Sequence, residues 1–215
     1  MRVNFNKESF RKSAKLTLKR EVRQSAKCKH YPMLKTIMKI IEHYKAKKIL
    51  IFMPLAYEPN LMIIRRNLVK NREIFIPFMR DISFKMVKLR NPFFVSKFGV
   101  RESANQNEYK KKIDLAVIPV IGVDGNGGRI GHGKGYYDIF FSELKFKPKI
   151  IFVEIKDMLI DEIITEPHDI QGDLYITPKK NYILRGNNDN SYLMSRSGYY
   201  RCCGGVFHRQ KNKRC

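Results

Sequence analysis

Residues Ile113 to Asp138, "IDLAVIPVIGVDGNGGRIGHGKGYYD", decide how the rest of the chain is read. The first eight, Ile113 to Val120, are apolar nearly throughout, the mark of a strand buried on both faces. Seven of the chain's 13 glycines follow, all between Gly122 and Gly135. A loop leaving the carboxyl end of a central strand is where open α/β sheets place their ligands. Glycines there let backbone N–H groups approach and curl around a phosphate chain. Arg129 and Lys134 add two cations, and a helix expected from Tyr136 to Phe146 turns its positive dipole end toward the same spot. The stretch therefore implies an anionic ligand.

It matches neither common phosphate fingerprint. Gly128 to Lys134 satisfies G-x-x-x-x-G-K, but the next residue, where Ser or Thr would hold magnesium, is Gly135. G-x-G-x-x-G fails because Tyr136 stands where its third glycine belongs. A metal held against phosphates then needs another donor. Asp138, in the first helical turn, is the candidate, since magnesium prefers carboxylates and water; its alternative role is a helix cap. Of Tyr136 and Tyr137, one ring is expected to pack on the core and the other on a ligand.

Outward from this stretch, strands and helices alternate. Residues 5–30 read as a basic amphipathic helix and 33–45 as a second, with Leu34, Ile37, Met38, Ile41 and Tyr44 on one stripe. Strands are expected at Lys48–Met53, Glu73–Phe78, Phe84–Leu89, Lys149–Glu154 and Asp173–Thr177, with a helix over Asn60–Lys70. This pattern predicts an α/β fold, a sheet covered by helices on both faces. From about Gly186 periodicity disappears, and six Lys/Arg stand against one Asp. A single domain over 1–185 and a disordered basic tail over 186–215 are expected.

At 215 residues and 43% hydrophobic, the chain can bury one full core. No apolar run approaches the roughly 20 residues needed to cross a bilayer. The amino terminus has no apolar signal-peptide core, so the cytoplasm is the expected compartment. Cys28, Cys202, Cys203 and Cys215 show no metal-binding spacing and are expected to be reduced thiols. The net charge of +23 will attract phosphates. Its lysines are spread over the whole length and no RNA-binding motif is present, so anionic small molecules are the expected partners, not nucleic acid or membrane.

The loop also carries a resemblance. "GVDGNGGRIGHGKGYYD" is similar to the signature F-D-x-x-G-x-R-L-G-x-G-x-G-Y-Y-D of the 5-formyltetrahydrofolate cyclo-ligases, with Val123 for the phenylalanine and Ile130 for the leucine. Lys7 and Arg11 match an amino-terminal K-x-x-x-R. "PLAYEPN" resembles a strand-loop whose substrate-contacting glutamate would be Glu58, and "FGVRES" a G-I-x-E-P segment with Ser103 replacing the proline. "EPHDIQGDLYIT" resembles a closing P-x-x-x-D-x-x-x-D-x-x-x-T pattern. The resemblance covers roughly residues 5–185.

What it implies is a three-layer α/β sandwich with a largely parallel, mixed sheet, of the NagB/RpiA/CoA-transferase type. It further implies ATP- and Mg2+-dependent conversion of 5-formyltetrahydrofolate to 5,10-methenyltetrahydrofolate by a monomer. Catalysis would fall to Arg129, Lys134 and Tyr136. Nucleotide would be held by Lys7, Arg11, Arg129 and the run Gly131, His132, Gly133, Lys134, Gly135, Tyr136 and Tyr137. Folate would meet Glu58, His132, Gly133, Lys134, Gly135 and Tyr136, and the metal Asp138 and Asp169. The alternative is a non-catalytic nucleotide- or sugar-phosphate-binding protein on the same scaffold, favoured if Glu58 or Asp138 faces away from the loop.

Overall fold

The computed structural model describes residues 6–96, 99–104, 106–185, 199–203 and 206–209. Its first element is one helix, α1 (Lys7–His43), where the sequence reading expects two. Asn6 caps it by accepting from the Ser9 backbone N–H at 2.9 Å, and Ser9 returns the bond to the Asn6 N–H. Pro32 lies inside the helix and costs about 3 kcal/mol in a helix interior. Met33, Leu34, Ile37, Ile40 and Ile41 follow it, all buried against the sheet. At roughly 1.5–3 kcal/mol for each such side chain, their burial outweighs the proline and keeps the helix going.

The strands are β1 (Lys48–Leu50), β2 (Glu73–Met79), β3 (Phe84–Lys88), β4 (Phe93–Val95), β5 (Arg101–Ser103), β6 (Leu115–Pro119), β7 (Gly122–Val123), β8 (Arg129–Ile130), β9 (Lys149–Val153), β10 (Leu174–Ile176), β11 (Asn181–Ile183), β12 (Tyr199–Cys203) and β13 (Val206–Arg209). Between β1 and β2, a 3-10 turn over Leu61–Ile64 leads into the short helix α2 (Arg65–Val69). Helix α3 (Tyr136–Ser142) is shorter than its expected span.

One sheet runs β13-β12-β11-β10-β9-β6-β1-β2-β3. The five strands from β2 to β10 are parallel neighbours, while β3 and β11 run antiparallel to theirs. Side chains alternate as strand geometry requires. Ile49, Leu115, Val117, Ile151 and Val153 join the α1 core; Leu50, Ala116, Ile118 and Phe152 join the opposite core with Phe140 of α3. This is the expected three-layer α/β sandwich. The hairpin β12–β13 extends the sheet where the sequence reading expects disorder; the remainder of 186–215 lies outside the described residues.

The strand order reverses between β1 and β6, because β2 and β3 build outward one way and β9 and β10 the other. That reversal, at the carboxyl ends of the strands, is where doubly wound sheets leave a crevice. The segment after β1 carries Glu58, and the glycine loop follows β6. The amino-terminal half of α1 crosses above them, with Phe10, Ala14 and Leu18 packed on Ile121, Ile130 and Ile155. Among the described residues no helix is long and apolar enough to cross a membrane.

Candidate active site

The glycine loop is built, not slack. Asp124 is fully buried; its Oδ1 accepts from the Gly128 N–H at 2.8 Å and the Asn126 N–H at 3.1 Å. Its Oδ2 accepts from the Thr165 N–H at 2.9 Å, the Ile164 N–H at 3.2 Å and the Thr165 hydroxyl. One carboxylate thus ties the loop to the segment leading to Asp169. Within the loop, β7 and β8 pair as a two-stranded ribbon. At Gly131 a Cβ would lie 2.2 Å from a guanidinium nitrogen of Arg129, so only glycine fits beside that side chain. Gly135 caps α3 in the left-handed region, φ +68°. A Ser or Thr here would be strained, which is why the phosphate-loop hydroxyl is missing at this position.

Two cavities meet at this loop. The first, of about 300 Å3, is largely apolar, with Phe52, Met53, Phe84 and Val100 among its walls. Glu58, Arg129, His132, Lys134, Gly135, Tyr136 and Tyr137 also line it. Both tyrosines line this cavity, and both also pack against the core that contains Phe140. Arg129 is buried, its Nε and an Nη held 3.3 and 3.2 Å from the Pro119 carbonyl and its guanidinium 4.8 Å from the centre of the Tyr137 ring. Glu58 is buried too; one oxygen accepts the Leu55 N–H at 2.9 Å and the other lies 3.7 Å from His132 Nε2. Burial pushes the Glu58 carboxyl up to about 7, against the opposing pull of the Leu55 N–H and the Arg129 charge. Burial, then the charges of Arg129, Lys15 and Arg11, lower His132 to about 4, so its imidazole is neutral at pH 7.

The second cavity, of about 410 Å3, is polar. Lys7, Arg11, Asp138, Glu166, His168 and Asp169 line it with Gly131, Gly133 and Gly135. Gly135 belongs to both cavities, and Arg129 spans them, its guanidinium 3.5 Å from Asp138 Oδ2. Lys7 pairs with Asp169 and lies 3.8 Å from Glu166. Arg11 donates from Nε to the Gly131 carbonyl at 2.9 Å. Asp138 Oδ1 accepts the Ile170 N–H at 3.1 Å, and its side chain is only 13% exposed. Among the described residues, no three His, Cys, Asp or Glu side chains gather to hold a metal alone. Two carboxylates, Asp138 and Asp169, in a polar cavity beside Lys7 and Arg11 instead fit magnesium, which keeps few protein ligands and takes the rest from water and phosphate.

Every residue expected at the site from sequence lines one or other cavity. The two expected sets do not map one to each cavity: of the nucleotide set, Lys7, Arg11, Gly131 and Gly133 line the polar side while Arg129, His132, Lys134, Tyr136 and Tyr137 line the apolar side with Glu58, and the metal pair Asp138 and Asp169 lies on the polar side. Three contributors escaped the sequence reading. Asp124 had a visible signal, since Asp before Gly marks a side-chain-closed turn. Glu154 ends the apolar run of β9 and is wholly buried; its Oε1 accepts the Ile155 N–H at 2.7 Å, and burial holds its carboxyl well above the usual range. Tyr57 lies 2.8 Å from His132 Nε2 through its hydroxyl, and no spacing in the sequence announces that contact.

Known proteins resemble this chain in sequence and in fold. The 5-formyltetrahydrofolate cyclo-ligase of Mus musculus is 26% identical over 186 residues, spanning 75% of this chain and 92% of its own. That of Mycolicibacterium smegmatis is 27% identical over 143 residues, 61% of this chain and 74% of its own. The solved 5,10-methenyltetrahydrofolate synthetase of Aquifex aeolicus has the same fold, with a TM-score of 0.70 at 22% identity over 84% of this chain and 94% of that one. The model of the 5-formyltetrahydrofolate cyclo-ligase family matches residues 4–178, a span that runs from before Lys7 to beyond Asp169 and takes in both cavities; the chain belongs to that family.

Proposed function

We propose that this chain converts 5-formyltetrahydrofolate to 5,10-methenyltetrahydrofolate, consuming ATP with Mg2+ and releasing ADP and phosphate. The observation that carries the reading is the meeting of an apolar cavity and a polar one, lined by Lys7 and Arg11 together with three carboxylates, at Gly135, with Arg129 between them. A flat heteroaromatic ring suits the first and a triphosphate the second. ATP supplies the phosphoryl group that turns the formyl oxygen into a leaving group, and magnesium offsets the charge on the phosphates. The chain's own work is positioning and charge neutralisation.

Lys7 and Arg11 face the polar cavity and hold phosphate oxygens. Asp138 and Asp169 are the carboxylates available to the metal. Lys134, exposed at the rim of the apolar cavity, and Arg129, buried at the junction, face the oxygen on which negative charge develops. Tyr136 and Tyr137 wall off water beside them. Glu58, ionised, takes a hydrogen bond from the folate and orients its formyl-bearing end. N10 then closes the ring; its proton leaves with the phosphate, so the sum is methenyltetrahydrofolate cation, ADP and hydrogen phosphate.

Glu58 and Asp138 both face the loop, which supports the enzyme over the non-catalytic binding protein. Substrate labelled with 18O in the formyl group tests the chemistry. The label is expected in the released phosphate; unlabelled phosphate with normal product formation contradicts activation of that oxygen.

A further inference from the structure

His132 stands where three groups meet. Its Nε2 lies 2.8 Å from the Tyr57 hydroxyl and 3.7 Å from Glu58 Oε1. The Tyr57 ring stacks on the imidazole, centroids 5.6 Å apart and planes 28° apart. The backbone on either side is pinned from α1: Arg11 donates to the Gly131 carbonyl at 2.9 Å, and Lys15 to the His132 carbonyl at 3.3 Å. Tyr57 and Glu58 are consecutive, so one loop presents both a hydroxyl and a carboxylate to a single ring nitrogen.

A neutral imidazole carries one N–H and one lone pair. Arg129, Lys15 and Arg11 face this ring and disfavour a second proton. Nε2 can therefore accept from Tyr57, or carry the ring proton and donate to the Tyr57 hydroxyl oxygen or to Glu58. The 3.7 Å to Glu58 is too long for a hydrogen bond and the 2.8 Å to Tyr57 is one; among the described residues the Tyr57 hydroxyl has no other acceptor for its hydrogen, which makes Tyr57 the donor.

We infer that Tyr57 is a positioning residue: by donating its hydroxyl hydrogen to His132 Nε2, it holds the imidazole as the Nδ1–H tautomer and keeps that nitrogen from capping Glu58. The inference rests on the proposed function in one respect, that Glu58 faces the folate. Besides His132, the groups facing Glu58 are the Arg129 guanidinium, the Glu154 carboxyl and the hydroxyls of Tyr57 and Tyr137. Glu58 Oε2 is engaged by the Leu55 N–H, so Oε1 is the oxygen left for substrate. Without the Tyr57 hydroxyl, Nε2 takes the ring proton, turns to Oε1 and stabilises the carboxylate while competing with substrate for it.

Tyr57→Phe keeps the stacked ring and removes only the hydroxyl. The 15N resonances of His132 are expected to report Nδ1–H in the wild type and Nε2–H in the variant. The acid limb of kcat/KM should move down by about one pH unit, a tenfold lower proton affinity. KM for 5-formyltetrahydrofolate should rise several-fold. In a His132→Asn background, adding Tyr57→Phe should shift the limb no further. The tautomer measurement needs no turnover, so it stands or falls apart from the cyclo-ligase reading. A wild-type His132 in the Nε2–H form, or a tautomer and pH profile unmoved by Tyr57→Phe, overturns the inference.

Discussion

Glu58 and His132 sit 3.7 Å apart, and burial moves their proton affinities toward each other's usual range, the carboxyl up and the imidazole down. Their effects on stability have opposite signs. Folded Glu58 holds a proton from about pH 4.5 to about 7 that the unfolded chain has released, so this group's contribution falls as pH rises through that window. Folded His132 refuses a proton that the unfolded chain binds below about 6.5, so its contribution is lost as pH falls toward 4. Between pH 4.5 and 6.5 the two slopes offset each other, and the wild type should show a shallow profile. Glu58→Gln removes one of them. Urea melts of the variant should show stability rising steeply with pH, overtaking the wild type by about 2–3 kcal/mol at pH 8. Turnover should fall by about 10^2-fold, an expectation checked by single-turnover kinetics. Parallel pH profiles for the two proteins would contradict the assignment of a buried, protonatable Glu58.

The loop between β6 and α3 draws its shape from a residue to which the sequence reading gave no role. Asp124 accepts backbone N–H groups from both the glycine loop and the Ile164–Thr165 segment, so it holds the loop against the segment that leads to Asp169. Asp124→Ala leaves those buried donors without an acceptor. A loss of about 3 kcal/mol is expected in denaturant melts, with activity reduced even where the protein stays folded. A variant of wild-type stability would show the turn to be held otherwise. The elements were legible where the apolar period was strong: Leu115 to Pro119, Lys149 to Val153 and the α1 stripe stand close to where the pattern put them. The break expected at residues 31–32 was misread, because a proline penalty is local while burial of Met33 to Ile41 is tertiary. The β4–β5 hairpin and β11 were missed; three-residue strands offer too few alternations to count. At the site, motif residues were legible, whereas Tyr57 and Glu154 act through contacts made only when separate strand ends come together.

Across the molecule, one reversal of strand order sets the whole arrangement. It puts the Glu58 segment and the glycine loop side by side, and the amino-terminal half of α1 brings Lys7 and Arg11 to the same edge. The family match ends at residue 178, before β11, β12 and β13. We propose that residues 1–185 carry the complete catalytic unit. Truncation after Arg185 is expected to leave kcat/KM within about twofold and the urea midpoint nearly unchanged, since among the described residues those lining each cavity all precede residue 170. An inactive or unfolded truncation would make the β12–β13 hairpin part of the working fold. The account as a whole stands on one assay: absorbance of 5,10-methenyltetrahydrofolate after the protein is mixed with 5-formyltetrahydrofolate, ATP and Mg2+. The account predicts a rise that disappears when ATP or Mg2+ is omitted and falls at least about 10^2-fold in Lys134→Ala. A folded protein that gives no rise, or one that gives the same rise without nucleotide, contradicts it.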